Sequence, residues 1–557
     1  MKKFKILILF IIGFSLIKCT DKIDDIPLNF NGIETICSDS IYVRQFVNNI
    51  YNFLPSGYNQ LAGASMLACA TDEAVQSSNS SGADNIAKGI WGPSSNPDDQ
   101  WNRNYLGIRR ANDFLMNVLP AIPEKVFKSQ QTIDNLTGQV YFLRAMFHFE
   151  LVKRYGGVPI VTDIFDANSK TNIPRDNYDE CINFIVSQCD LAASLLPASY
   201  PNASKTDLGR ITKGAAYALK ARTLLYAASP LFNDPSQPQD TYSHGAYDAK
   251  KWEKAAAAAN QVIALKLYSL YPTYDAFFTT LNGNNEIILS KMSGPSNTVE
   301  QNNGPSGYTG GQGGTGPSLN LVDAYEMANG TKFDWNNPAL ASNPFANRDP
   351  RFYKSILYNG VKWMGDFVDT YVGGNDLGSV NSTKTSFYLR KFLSESAKWF
   401  GVRGTTYHCF PIFRYGEVLL NYAEAMNEAY GSESDPQGYG LTAKQAIEMI
   451  RKRAGLSPYL IQTGLSKDAM RDIIRHERQI ELAFEDHRHL DVRRWKIAED
   501  VLGASIYGLN ITKNNDGGFS YSRIKVEDRV FSAKMYLYPI PQSEMGRNSK
   551  LVQNPGW

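Results

Sequence analysis

This sequence predicts a mainly α fold: helix pairs stacked as in an α-solenoid, interrupted by an irregular, loop-rich region with a few short strands. Three observations carry that expectation. Apolar residues recur at spacings of three and four along seven long segments, which is the helical period. Alanine and glycine occupy packing positions in several of those segments, where they let neighbouring backbones approach closely. Between about 266 and 410 the periodicity stops, and glycine, serine and asparagine take over. With 557 residues, 43% of them hydrophobic, the chain can bury a large core in one extended domain or two interlocked ones.

At the N-terminus, Lys2, Lys3 and Lys5 precede an apolar run from Ile6 to Ile17. It is too short to span a bilayer comfortably and suits the apolar part of a signal peptide. Cys19 follows in "SLIKCT", which resembles a bacterial lipoprotein signal, although Lys18 departs from the small residue such signals prefer. Residues 1–18 are thus the expected signal peptide and Cys19 the expected lipidation site, whose acyl chains would tether the chain to a membrane. The acidic "TDKIDD" after it is similar to export signals of surface lipoproteins.

The first long helix reads "NLTGQVYFLRAMFHFELVKRY" (135–155) and stops at Gly156-Gly157, as a glycine end should. Further helices are expected at about 176–196, 211–229, 249–265, 412–430, 441–454 and 467–499. "GAAYALKARTLLYAAS" (214–229) and "KWEKAAAAANQVIAL" (251–265) resemble tetratricopeptide (TPR) helix pairs, without a clean 34-residue period. Between them and the last helices, Glu286 to Ser290 reads as a short strand. "SGPSNTVEQNNGPSGYTGGQGGTGPS" (293–318) is too rich in Gly, Ser and Asn to form a regular element, and loops near 359–386 and 430–440 share its character. Cys37, Cys69, Cys181, Cys189 and Cys409 are odd in number and lack C-x-x-C spacing, so they read as buried small apolar residues.

The charge balance, 57 basic against 55 acidic residues, gives no electrostatic reason to bind nucleic acid. One string invites a metal: "HERQIELAFEDHRHLDVRRWK" (476–496) carries His487, His489 and Asp491. On a helix, however, two histidines two positions apart diverge by about 200°. No proline occurs from Tyr459 to Tyr538, so a continuous helix is expected. Val492 stands where the metallohydrolase pattern wants histidine, and no metal site is expected. What stands out instead is charge on the apolar face. Glu477, Arg488 and Asp491 share it with Ile473, Ile480, Phe484 and Trp495. Buried charges persist when paired, so these three are read as a structural ion network, with Arg488 and Asp491 bonded to each other, to neighbouring helices or to backbone.

That segment resembles the C-terminal signature of the SusD/RagB family of nutrient-uptake lipoproteins, E-R-x-x-E-L-x-x-E-x-x-R-x-x-D-x-x-R-W, through Glu477, Arg478, Glu481, Leu482, Glu485, Arg488, Asp491, Arg494 and Trp495. "RAMFHFELVKRYGGVPIV" (144–161), "PIFRYGEVLLNYAEAMNE" (411–428), "IRKRAGL" (450–456) and "YLYPIPQSEMGRNSKLVQNPGW" (536–557) are similar to further family blocks, in the family's order. The resemblance implies three stretches: the signal peptide (1–18), a SusD-like N-terminal region with TPR-like helices (19–230), and a C-terminal region with loop-rich insertions and the final TPR-like helices (231–557). It further implies a lipid-anchored protein of the outer membrane that faces outward over a SusC/RagA-like TonB-dependent β-barrel transporter. Such a protein captures oligosaccharides, or peptides in the RagB branch, without catalysis or cofactor.

Sugar C–H faces pack on aromatic rings and sugar hydroxyls need polar partners, so aromatics in polar loops are the natural ligand residues. Trp91, in "AKGIWGPSSNPDDQW", fits best and lies shortly after Asp72. Tyr308, Trp335 and Trp363 follow, whereas Trp101, Trp252 and Trp495 lie in periodic segments and read as core. Two other classes remain open: a scaffold that binds only protein, and a glycoside hydrolase, for which no carboxylate pair or nucleophile motif stands out.

Overall fold

A computed structural model describes residues 32–557 except 59–60, 62–64, 79–81, 166–171, 201–206, 237–241 and 282. The expected signal peptide (1–18), Cys19 and the acidic stretch after it lie outside the described residues.

Ten described helices reach seven residues: α1 (Ser40–Ile50), α2 (Trp101–Asp113), α3 (Gln130–Tyr155), α4 (Tyr178–Leu195), α5 (Lys213–Ala228), α6 (Lys251–Ala264), α7 (Tyr415–Tyr430), α8 (Ala443–Ala454), α9 (Lys467–Glu481) and α10 (Arg488–Arg494). None of the described helices is long and apolar enough to cross a membrane. Local chemistry sets their ends. Asn177 and Glu180 form a capping box at the start of α4, and Thr442 with Gln445 does the same for α8. α3 stops at Gly156, whose φ of 77° favours glycine.

From α2 to α7 each helix packs on the next, the stacked-pair arrangement expected of the sequence. Small residues make it possible. Gly107 of α2 faces the Phe147 ring, Gly138 of α3 faces Leu196, and Ala255, Ala256, Ala258 and Ala259 of α6 are all buried. The largest hydrophobic cluster runs from Cys37 to Leu551, so both ends of the described chain share one core. Cys37, Cys69, Cys181, Cys189 and Cys409 are all buried and form no disulfide.

The strands form only two-stranded antiparallel pairs among the described residues: β1 (Ala74–Gln76) with β3 (Thr315–Pro317), β2 (Ile287–Ser296) with β8 (Thr406–Arg414), β4 (Ile356–Leu357) with β7 (Tyr388–Leu389), β5 (Lys362–Trp363) with β6 (Asp366–Phe367), and β9 (Ile506–Lys513) with β10 (Phe519–Glu527). The expected helix from 412 begins only at Tyr415, because residues 412–414 complete β8. Segment 293–318 also departs from expectation. It holds the end of β2, a short helix at Thr298–Asn303 and β3, since close glycine contacts let it fold onto its surroundings: Gly304 lies against Trp399 and Gly311 against the Pro305 carbonyl.

The main correction concerns 467–499, which is not one helix. α9 ends at Glu481, residues 482–487 turn, α10 covers 488–494, and a short helix follows at Ala498–Leu502. Phe484, Asp486 and Lys496 take positive φ values of 65°, 63° and 56°. Tertiary bonds explain the break. The Glu481 carbonyl, which a continuing helix would offer to Glu485, accepts instead from Arg414 at 2.8 Å, Tyr274 Oη at 2.7 Å and Lys391 at 3.2 Å. The Ala483 carbonyl accepts from the same Lys391 ammonium at 2.8 Å.

Candidate functional site

The helix break places a lattice of buried charge between the helical scaffold and the loop-rich region. Glu481 accepts from Arg414 at 2.8 Å, from Arg351 at 3.0 Å and from Arg453. Burial alone would raise the Glu481 carboxyl, but the three guanidiniums outweigh it and hold the group well below its ordinary range. Glu485 accepts from Arg414 at 2.6 Å and Lys391 at 2.7 Å, and Glu477 from Arg351 and from Arg451 at 3.3 Å. Arg488 and Asp491 do not bond to each other. Arg488 grips Asp72 at 2.9 and 2.8 Å, while Asp491 accepts from Arg478 at 2.6 Å and Arg494 at 2.9 Å. Each ion of this network has a partner on another element or turn, which is the condition for keeping charge out of water.

The histidines belong to the same interior. His489 Nε2 meets the Tyr538 hydroxyl at 2.8 Å, and His487 Nδ1 faces Arg478 at 3.4 Å. Burial first, and nearby arginines second, push both imidazoles well below their ordinary pKa, so they are neutral. Among the described residues no group of three or more His, Cys, Asp or Glu side chains could hold a metal ion.

The predicted ligand residues are dispersed. Asp72 is buried and taken by Arg488; beside it, burial pushes the Glu73 carboxyl well above its ordinary range. Trp91 is 8% exposed, with its ring 5.1 Å from Tyr538 and 4.8 Å from Trp557. Trp335 is half-buried, donates to Asp323 at 3.0 Å and packs on Phe333. Only Tyr308 and Trp363 come together: the Tyr308 hydroxyl donates to the Trp363 carbonyl at 3.0 Å. Both are buried, Trp363 at 1% and Tyr308 at 8% exposed. A large ring in a glycine-rich loop buries most of its apolar area by drawing the loop over itself.

Tyr308 and Trp363 share a cluster with Trp399, while Phe400 packs at its margin, 5.4 Å from Tyr308. Beside Trp399, around Gly310, side-chain amides come together. Gln312 is exposed, and its Oε1 accepts from Asn381 Nδ2 at 3.1 Å. Gln301 and Gln312 both donate to the Gly310 carbonyl, and Ser77 donates to the Gln312 carbonyl at 3.2 Å. Beneath, Asp376 accepts from the Gly307 amide at 3.0 Å, and burial pushes its carboxyl up to about 6. Each amide carries both donors and acceptor lone pairs, which suits hydroxyl groups that do the same. Sequence reasoning missed Trp399, Gln301, Gln312 and Asn381. Trp399, in "ESAKWFGVRG", fits the loop-tryptophan rule already applied. The amides carry no local signal, because only long-range folding brings 301, 312 and 381 together.

The comparisons with known proteins bear on the whole chain. A relative named SusD-like protein P25, from Formosa agariphila, is 24% identical over an alignment covering 100% of this chain and 98% of the relative. A crystal structure of a SusD-like protein from Bacteroides fragilis matches with a TM-score of 0.76 and 29% identity, covering 94% of this chain and 98% of the other. A second B. fragilis structure, titled a SusD-like carbohydrate binding protein, matches with a TM-score of 0.76 at 23% identity over 93% of this chain and 100% of that one, a likeness of fold. The family model described as "Starch-binding associating with outer membrane" matches residues 31–225, and that of the SusD family matches residues 281–557. With both models in chain order and the fold shared end to end, the chain belongs to the SusD-like family.

Proposed function

We propose that this chain captures oligosaccharides at the outer membrane and passes them to a TonB-dependent SusC-like transporter, without chemistry of its own. The observation that carries the reading is the group of amides, Gln301, Gln312 and Asn381, that meets around Gly310 beside Trp399, a member of the Tyr308, Trp363 and Trp399 cluster. The description of the N-terminal family model, starch-binding and associating with the outer membrane, supports it. Cys19 would carry the lipid anchor, with the loop-rich pole turned outward. Of the five residues predicted to touch ligand, Tyr308 and Trp363 are assigned to the floor of this pole. Asp72, through Arg488, is assigned to holding the helical scaffold.

Isothermal titration of the chain from residue 20 onward, against neutral and acidic polysaccharides and peptide digests, tests the proposal. Saturable binding to a glycan is expected, weakened at least tenfold in Gln312→Ala/Asn381→Ala, because each lost amide leaves a ligand hydroxyl unpaired. Binding to peptides alone would overturn the glycan reading in favour of a RagB-like one. Glycan binding untouched by the double variant would move the site elsewhere.

A further inference from the structure

The helical scaffold carries a pocket that shares no residue with the loop-rich pole. It opens where α5 ends, among side chains of α6, α7 and α9, and its volume of about 550 Å³ is within the range of ligand sites. Ala228, Pro230 and Pro235 give it apolar walls. Trp252 lines it too and is only half-buried, with an indole N–H that meets no acceptor among the described residues.

The acceptors of the pocket are already engaged. Glu428 takes the fork of Arg471, whose Nε and Nη2 both donate at 2.6 Å, and Glu424 is held by Arg494 and the Trp495 indole. Asp234 Oδ1 accepts from the Ser236 amide at 2.9 Å and the Ser236 hydroxyl at 2.7 Å, and its Oδ2 faces Lys496 at 3.8 Å, a charge contact too long for a hydrogen bond. The Asn233 amide is spent on the Asp248 backbone, to whose carbonyl it donates and from whose N–H it accepts.

Arg475 is the cation left over. It stands one turn after Arg471 on α9, lays its guanidinium over the Trp495 ring at 4.9 Å, and makes no ion pair or hydrogen bond among the described residues. Its Nε is sealed inside without an acceptor, so Nη1 and Nη2 are the donors that remain within reach of a ligand. Burial outweighs the pull of Glu424 and lowers the pKa of Arg475, whereas Glu424 and Asp491 hold that of Arg494 above its ordinary value. A guanidinium drawn partly out of water without a counter-ion is costly, and a carboxylate set end-on against both Nη groups removes that cost. The pocket therefore has donors to spare in Arg475 and Trp252, and no carboxylate or amide oxygen to spare. A sugar would bring hydroxyl donors that find no side-chain acceptor here. A peptide carboxylate needs donors alone, and the apolar walls suit the side chain next to it.

We propose that this pocket receives an acidic segment of a partner protein, with one aspartate or glutamate carboxylate on Arg475 Nη1 and Nη2 and an apolar neighbour against Trp252 and the prolines. The inference does not depend on the glycan reading, since none of these residues belongs to the pole.

The test uses the chain from residue 20 onward and two pools of hexapeptides with capped ends, randomised except for one central residue, which is glutamate in the first pool and glutamine in the second. Retention on the immobilised chain is read by mass spectrometry. The retained peptides are then titrated, with amide hydrogen exchange followed in segments 228–235 and 494–498. Arg475→Gln removes the unpaired charge, and Lys496→Glu sets a repelling charge at the exposed side of the pocket. Expected are at least fivefold greater retention of the glutamate pool, loss of that preference in Arg475→Gln, a weakening of at least threefold in Lys496→Glu, and protection of both segments. Equal retention of the two pools, or a preference that survives both variants, would overturn the pocket. Displacement of the retained peptides by equimolar inorganic phosphate or digalacturonate would overturn the peptide assignment in favour of a small anion or an acidic sugar. If Arg475→Gln lowers the melting temperature, Lys496→Glu decides.

Discussion

Single side chains in this protein are constrained mainly by charge. Glu424 accepts from both ends of the Arg494 guanidinium and from the Trp495 indole at 2.8 Å. Burial would raise its carboxyl, yet Arg494 overrides burial and holds it down to about 2, against an ordinary 4.5. A carboxyl depressed on folding stabilises the fold fully above its unfolded pKa and loses that contribution as the pH falls through the folded one. Urea unfolding should therefore show a decline from about pH 5 to pH 2 that is shallower in Glu424→Gln. At pH 7 the same substitution should cost about 3 kcal/mol, because it takes a buried charge from Arg494. A loss under about 1 kcal/mol would mean that the pair is not what holds Arg494 in place.

Among the elements, the helices were legible and the break was not. α3 to α8 lie within a few residues of where apolar period, capping residues and terminal glycines put them, since those signals are local. The turn at 482–487 has no such signal, for its cause is Lys391 and Arg414 arriving from far along the chain. The pole is half legible for the same reason: Tyr308 and Trp363 announce themselves by composition, whereas Gln301, Gln312 and Asn381 are neighbours only after folding. Asp486 shows what the turn costs. Its φ is 63°, its Oδ1 is buried without a partner, and burial pushes its carboxyl up to about 8. An acid raised on folding destabilises increasingly as pH climbs from its unfolded to its folded pKa. Asp486→Asn, which tolerates the left-handed conformation, should raise the melting temperature at pH 8 and leave it nearly unchanged at pH 4. An equal shift at both values would show that the benefit is conformational and not electrostatic.

Across the molecule, the charge lattice joins what the chain order separates. Arg414 closes β8 at the foot of α7, and it bonds Glu286 before β2, Glu481 at the end of α9 and Glu485 in the turn. Arg351, from the loop-rich region, reaches the same Glu481. Scaffold and loops should accordingly melt together. Calorimetry of Arg414→Met is expected to show one transition moved to lower temperature, with a loss of about 3–5 kcal/mol, and two separated peaks would disprove the coupling. The interior also keeps its sulfur out of reach. Burial pushes the Cys69 and Cys181 thiols up to about 12 and Cys409 to about 11, and raises Cys37 and Cys189 as well. A thiol that stays protonated and sheltered does not attack a maleimide. The native chain from residue 20 onward should thus remain unlabelled until it is unfolded. A cysteine introduced on its surface would then be a lone chemical handle, ready to carry a dye that reports docking on a partner in a living cell's envelope.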